Sequence, residues 1–195
     1  MLSAKVWRGA SDGGVLEFPE QRLEELRARP NTALSFSGGG VRAFSATLGY
    51  LVALHELELL PRARYMAGVS GGAWAATAYT YVDPSAGPHV ARNDTELLGR
   101  ALPPHALNYA ALDDMPAASA RHCATVGVGF VPLPGAGYAT KIQDTFLSPL
   151  GVRPGASWSY DAEVADSILQ RNEGRLAKSQ LALPLRRSYG APPFL

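Results

Sequence analysis

Cysteine is nearly missing from this chain. Cys123 stands alone among 195 residues, so no internal disulfide can staple the fold and a disulfide scaffold is excluded. Charge is scarce as well. Asp, Glu, Lys and Arg make up 18% of the residues, below the usual quarter, and 18 basic side chains against 17 acidic ones leave a net charge of +1. No bulk basicity draws nucleic acid, and no acidic run collects cations. His55, His89, His105 and His122 show no metal-ligand spacing, and no second cysteine joins Cys123, so no metal site is expected. The first eight residues lack an apolar stretch of signal-peptide length. The longest uncharged apolar stretch, residues 123–140, is broken by Pro132, Pro134 and four glycines, which argues against a membrane-spanning helix.

Apolar residues, by contrast, reach 47%, which rules out a disordered chain, and the length suits one domain. With 20 glycines and 15 prolines, much of the chain is expected to be loop. Residues 17–29 are helix-prone and end at Pro30. Residues 33–37 read as a short strand, followed at once by Gly38, Gly39 and Gly40. Helical periodicity then runs over residues 41–60, with Phe44, Leu48, Leu51, Val52, His55 and Leu59 on one face, until Pro61. Residues 64–69 read as a second strand and 73–81 as a buried helix. The pattern is a βαβα unit, hence an α/β fold with parallel strands and flanking helices. Later helices are expected at 96–102, 106–113, 141–147 and 162–170. The Pro-rich tail, 181–195, shows no closing element. Two strands are few for a parallel sheet, so the chain reads as part of a larger domain.

Two turns concentrate the chemistry. Gly68-Val69-Ser70-Gly71-Gly72 fits G-x-S-x-G, a sharp strand-to-helix turn that lifts a serine above the sheet edge. The bland reading is a β-to-α turn whose serine caps a helix. Gly38-Gly39-Gly40-Val41-Arg42 leaves several backbone N–H groups unshielded at a helix start, a cradle for an oxyanion or a phosphate, with Arg42 in the first turn. The bland reading there is a flexible turn with a surface arginine. On neighbouring strands of a parallel sheet, the two turns meet at one edge. Trp74, Tyr79 and Tyr81 read as core, with an acyl groove as the alternative, and Asp113-Asp114 as a solvated loop pair.

At these residues a resemblance enters. Ser37-Gly-Gly-Gly-Val-Arg-Ala-Phe, a helix and a strand, and then Tyr65-Met-Ala-Gly-Val-Ser-Gly-Gly-Ala-Trp74 resemble the catalytic core of the cytosolic phospholipases and lysophospholipases, relatives of the patatin-like lipid acyl hydrolases. The resemblance covers residues 33–82. It implies a serine-nucleophile hydrolase of phospholipid or lysophospholipid esters, working through an acyl-enzyme without cofactor or metal. It implies a cytoplasmic protein, peripheral at membranes. Carried over by position, Ser70 is the nucleophile, Gly38, Gly39 and Gly40 form the oxyanion hole, and Arg42 meets the substrate phosphate.

The family activates its serine with an aspartate, usually followed by glycine. Asp83, Asp94, Asp113, Asp114, Asp144, Asp161 and Asp166 all lack that glycine, and Asp12-Gly13-Gly14 precedes the nucleophile. No residue of the 195 is therefore expected to complete the dyad, and inactivity of the chain alone is expected. The domain reading is a single partial domain over 1–195, with core motifs at 33–82 and a loop-rich helical extension at 83–195. Three alternatives compete. Gly38-x-Gly40-x-x-Ala43 literally fits a dinucleotide-binding turn, but no acidic residue lies between Leu59 and Val82 for a ribose. Ser70, Asp114 and His122 stand in a permitted order for a Ser-Asp-His triad, an order that chance readily supplies. A non-catalytic, lipid-binding pseudoenzyme fragment is the last.

Overall fold

The computed structural model describes residues 23–87, 90, 93–98 and 137–195. A short helix α1, Glu24–Arg27, precedes strand β1, Ala33–Phe36. Helix α2, Gly40–Glu56, leads to a 3-10 turn at Leu60–Arg62 and strand β2, Tyr65–Gly68. Helix α3, Gly71–Tyr81, follows. β1 and β2 pair in parallel, Ala33 opposite Tyr65 and Phe36 opposite Gly68. The expected βαβα unit is therefore present, and the architecture is α/β.

α2 begins and ends for different reasons. Gly39, at φ 146°, and Gly40, at φ 62°, occupy backbone that side-chain-bearing residues rarely adopt, so the glycine turn feeds directly into the helix. The expected end at residue 60 comes early, at Glu56. Glu58 turns left-handed at φ 55°, its N–H donates to the His55 carbonyl, and the Leu59 N–H donates to the Leu54 carbonyl at 2.8 Å. That is a Schellman closure, normally built on glycine.

α3 is buried along nearly its whole length between α2 and the rest of the core. Its small residues, Ala75, Ala76 and Ala78, allow close approach, while Tyr79 fills the remaining space. Phe44 and Leu51 of α2 and Met66 of β2 meet it there. Tyr79 and Tyr81 are thus buried and Trp74 packs half-buried against the core, so the packing reading of the sequence fits these three. Burial pushes the Tyr81 hydroxyl up to about 12, and raises Tyr79 further, so both stay protonated.

Helix α4, Asp94–Leu98, falls where residues 96–102 were expected to begin one. The helix expected at 106–113 lies outside the described residues. The segment expected as a helix over 141–147 is α5, Gly137–Ile142, running into a π turn at Gln143–Leu147. The wider turn rephases the chain, so that Phe146 reaches the core, 5.0 Å from the Phe44 ring and 5.4 Å from Trp74. A second parallel pair, β3 (Ser157–Trp158) and β4 (Leu181–Ala182), encloses α6, Ala162–Arg171, whose first turn is capped by the Asp161 carboxylate at 2.7 Å from the Val164 amide.

The tail differs from expectation. It does close the fold. The Leu185 N–H donates to the Thr80 carbonyl. Phe194 then bridges Tyr65 in parallel: the Met66 N–H donates to the Phe194 carbonyl at 2.7 Å and the Phe194 N–H donates to Arg64 at 2.9 Å. β2 therefore has a neighbour on each side. Prolines at 192 and 193 hid this from periodicity, since the pairing is made by single residues rather than by a strand-length run. Among the described residues, no helix is long and apolar enough to cross a membrane.

Candidate active site

β2 ends at Gly68, and the chain must reverse into α3 within three residues. Ser70 makes that reversal with φ 50° and ψ −122°, a region costly to a residue with a side chain. The turn leaves Ser70 and Val69 exposed. It survives because its glycines admit close neighbours. A Cβ on Gly68 would lie 2.6 Å from the Ala73 nitrogen, and one on Gly72 2.6 Å from the Ser37 carbonyl oxygen. The Val69 N–H donates to the Phe36 carbonyl, tying this turn to the end of β1.

Gly38 meets the same turn from the other side. A Cβ built on it would stand 3.2 Å from the Ser70 Cβ. The serine side chain and the glycine loop thus lie against one another. Gly40 and Val41 open α2, where the first amides of a helix have no partner within it. Gly38 and Gly39 precede the helix, and among the described residues their amides donate to no protein group. The Ser70 hydroxyl likewise has no hydrogen-bond partner among the described residues. The arrangement joins an accessible, strained serine to unspent N–H donors and the positive end of a 17-residue helix, chemistry that suits developing negative charge on oxygen. Arg42 is exposed in the first turn of α2 and makes no ion pair with a described residue.

No described aspartate hydrogen-bonds the Ser70 hydroxyl. Asp83 accepts from the Ser85 amide and hydroxyl and pairs with Arg153 at 3.3 Å. Asp161 caps α6. Asp144 and Asp166 are exposed. Asp94 is buried against Arg187 of the tail, whose guanidinium also donates to the Tyr79 carbonyl and stacks 4.2 Å over the Tyr79 ring. The Tyr79 and Tyr189 hydroxyls share a hydrogen bond beside it. The sequence carried no periodic signal for this buried cluster. Asp12, Asp113, Asp114, His89, His105, His122 and Cys123 lie outside the described residues. His55 is about one-third exposed, with Nδ1 3.8 Å from the second Asp94 oxygen. Among the described residues, no group of three side chains is placed to hold a metal ion.

Residues 34–123 match the family model of the patatin-like phospholipases. The chain is similar to mouse cytosolic phospholipase A2 gamma, 51% identical over 61 residues, which cover 31% of this chain and 10% of that protein. Human cytosolic phospholipase A2 beta is 41% identical over 69 residues, 35% of this chain and 9% of the relative. Mouse cytosolic phospholipase A2 delta is 36% identical over 92 residues, 41% and 11%. The matches thus span about a tenth of the length of these curated relatives. No solved structure matches the chain. Residues 34–123, which hold both glycine turns and Ser70, carry a patatin-like phospholipase domain match, and the cytosolic phospholipase A2 relatives match this same part of the chain.

Proposed function

We propose that this chain supplies the nucleophile and the oxyanion donors of a lipid acyl hydrolase acting on phospholipid or lysophospholipid esters. The observation that carries the reading is the strained Ser70 set against Gly38, beside amides with no protein acceptor. Ser70 Oγ attacks the ester carbonyl carbon and passes its proton to a base. The carbonyl oxygen becomes an oxyanion held by the amides of the Gly38, Gly39 and Gly40 turn. The leaving alcohol departs with a proton, and water then cleaves the Ser70 acyl ester to release the fatty acid. Arg42 is the group for the head-group phosphate, since a cation at a helix N-terminus opposes the dipole unless an anion sits between them.

No described aspartate hydrogen-bonds Ser70, and Asp113 and Asp114, outside the described residues, lack the following glycine that the family resemblance leads one to expect, so the proposal places the activating carboxylate outside this chain. The 195 residues are then one part of a single domain of this type, working in the cytoplasm with peripheral contact to lipid surfaces.

In an active full-domain context, labelling with a fluorophosphonate tests the nucleophile. Mass spectrometry should find the adduct on Ser70 and none in Ser70→Ala, and an unlabelled Ser70 would overturn the reading. On lysophospholipid micelles, the chain alone should turn over no faster than Ser70→Ala. Clear Ser70-dependent hydrolysis would show that an aspartate of this chain serves after all. In an active full-domain context, Arg42→Ala should lose activity on phospholipids more than on uncharged esters, and equal loss would remove the phosphate role.

A further inference from the structure

Val69, the residue before Ser70, is 66% exposed although it is apolar. Its backbone is held at both ends. The N–H donates to the Phe36 carbonyl at 3.0 Å, and the carbonyl accepts from the Gly72 amide at 3.1 Å. Branching at Cβ stiffens the side chain too, so the turn sets where it points. Along an extended strand, successive side chains point to opposite faces. Ser70, at φ 50°, breaks that alternation. The Ser70 Cβ and the Val69 Cγ1 lie 3.2 Å and 3.5 Å from one point, the place a Cβ on Gly38 would take. Both side chains therefore border the glycine loop. Val69 also directly precedes the N-cap of α3, a position from which an apolar side chain can pack back on the fourth helical residue. That residue, Trp74, stacks on Phe146 at 5.4 Å, and Val69 stays in the open beside the serine.

We infer that Val69 is the wall for the first carbons of the acyl chain and selects acyl groups that are unbranched beside the ester carbonyl. The inference rests on the hydrolase reading and adds a substrate class to it. Once Ser70 Oγ has bonded to the carbonyl carbon, that carbon carries Oγ, the oxyanion, the leaving oxygen and the first acyl carbon. The amides of the glycine turn hold the oxyanion. The first acyl carbon is tethered close to the serine, and the Val69 methyl borders the same loop. A straight chain passes a stiff isopropyl group with favourable apolar contact. A branch at the first carbon presses into it, and neither the backbone nor the rotamer can yield cheaply. The two halves of a phospholipid ester then meet different chemistry, acyl carbons at Val69 and phosphate at Arg42.

The test compares kcat/KM, in an active full-domain context, for the p-nitrophenyl esters of butanoic and 2-methylpropanoic acid. The two share a leaving group and a carbon count and carry no phosphate. Each rate is divided by that of the ester's own hydroxide-catalysed hydrolysis, which removes intrinsic reactivity. The parent should favour the straight ester by about tenfold or more. Val69→Ala should bring the two within about threefold by admitting the branch, whereas Val69→Thr, which keeps the branched shape, should retain the preference. Melting temperatures should not change, since the side chain is exposed. A parent without the preference, or a Val69→Ala ratio equal to the parent's, overturns the inference, while fluorophosphonate labelling of Ser70 leaves the hydrolase reading standing. Equal loss on both esters with a lower melting temperature would mean that another part of the domain packs on Val69, and overturns it as well. An unlabelled Ser70 overturns the hydrolase reading and this inference with it.

Discussion

A methyl group on Gly71 would stand 2.0 Å from the Gly40 carbonyl oxygen. The two glycine turns are therefore in backbone contact, and any side chain there forces them apart. Gly71→Ala should destabilise the protein by about 1–3 kcal/mol, read from the urea midpoint, and should also slow fluorophosphonate labelling. Near-normal stability with near-normal labelling would show that the turns need no such contact. Glu58 is the opposite case, a residue less suited than glycine to its site. A left-handed backbone costs an ordinary residue about 1–2 kcal/mol, against about 0.5–1 kcal/mol for the extra freedom glycine loses on folding. Glu58→Gly should thus raise stability by about 0.5–1 kcal/mol, measured in the same titration. The G-x-S-x-G turn was legible in the sequence because a strand-like run precedes it and a helical run follows, a context that a chance pattern in so glycine-rich a chain would lack. The left-handed Glu58 was not, because nothing in its side chain announces the closure.

Between elements, the same contrast holds. β1, α2, β2 and α3 were legible because each is local: periodicity within the segment and a glycine or proline at its boundary settle the element. Their joining to the tail was not. Arg187 comes 93 residues after Asp94, and only the folded chain shows that the two are buried together. The second Asp94 oxygen and the Arg187 Nε have no hydrogen-bond partner among the described residues. Removing one partner strands the other charge in the core. Asp94→Ala should cost about 3–5 kcal/mol in chemical denaturation, whereas Asp94→Leu combined with Arg187→Met should cost clearly less. A double variant as unstable as the single one would mean that the pair itself, rather than the stranded charge, holds the tail against α3.

At the scale of the whole molecule, α1 and the tail clasp each other. Glu25 accepts from Arg186 and, at 2.9 Å, from the Ala191 amide. Those bonds, the Arg186 contact foremost, hold its carboxyl below the ordinary 4.5. A carboxylate whose pKa falls on folding stabilises the fold above its unfolded value and loses that contribution as pH drops through the folded one. Glu25→Gln should therefore be less stable than the parent near neutral pH, by no more than about 1 kcal/mol for so exposed a pair, and the gap should close well below pH 4.5. A gap independent of pH would remove the charge from the account. The clasp joins residues 166 apart, and the Phe194 bridge to β2 lies beside it. A ribosome delivers these parts in sequence. β2 emerges early with one neighbour, β1, and waits until residue 194 before its second edge is occupied. During that interval the strand bearing the Ser70 turn is a half-paired template, open to any passing segment of compatible pattern. The completion of this site is thus timed by translation, and stalling before residue 194 should leave a nascent chain that depends on chaperones.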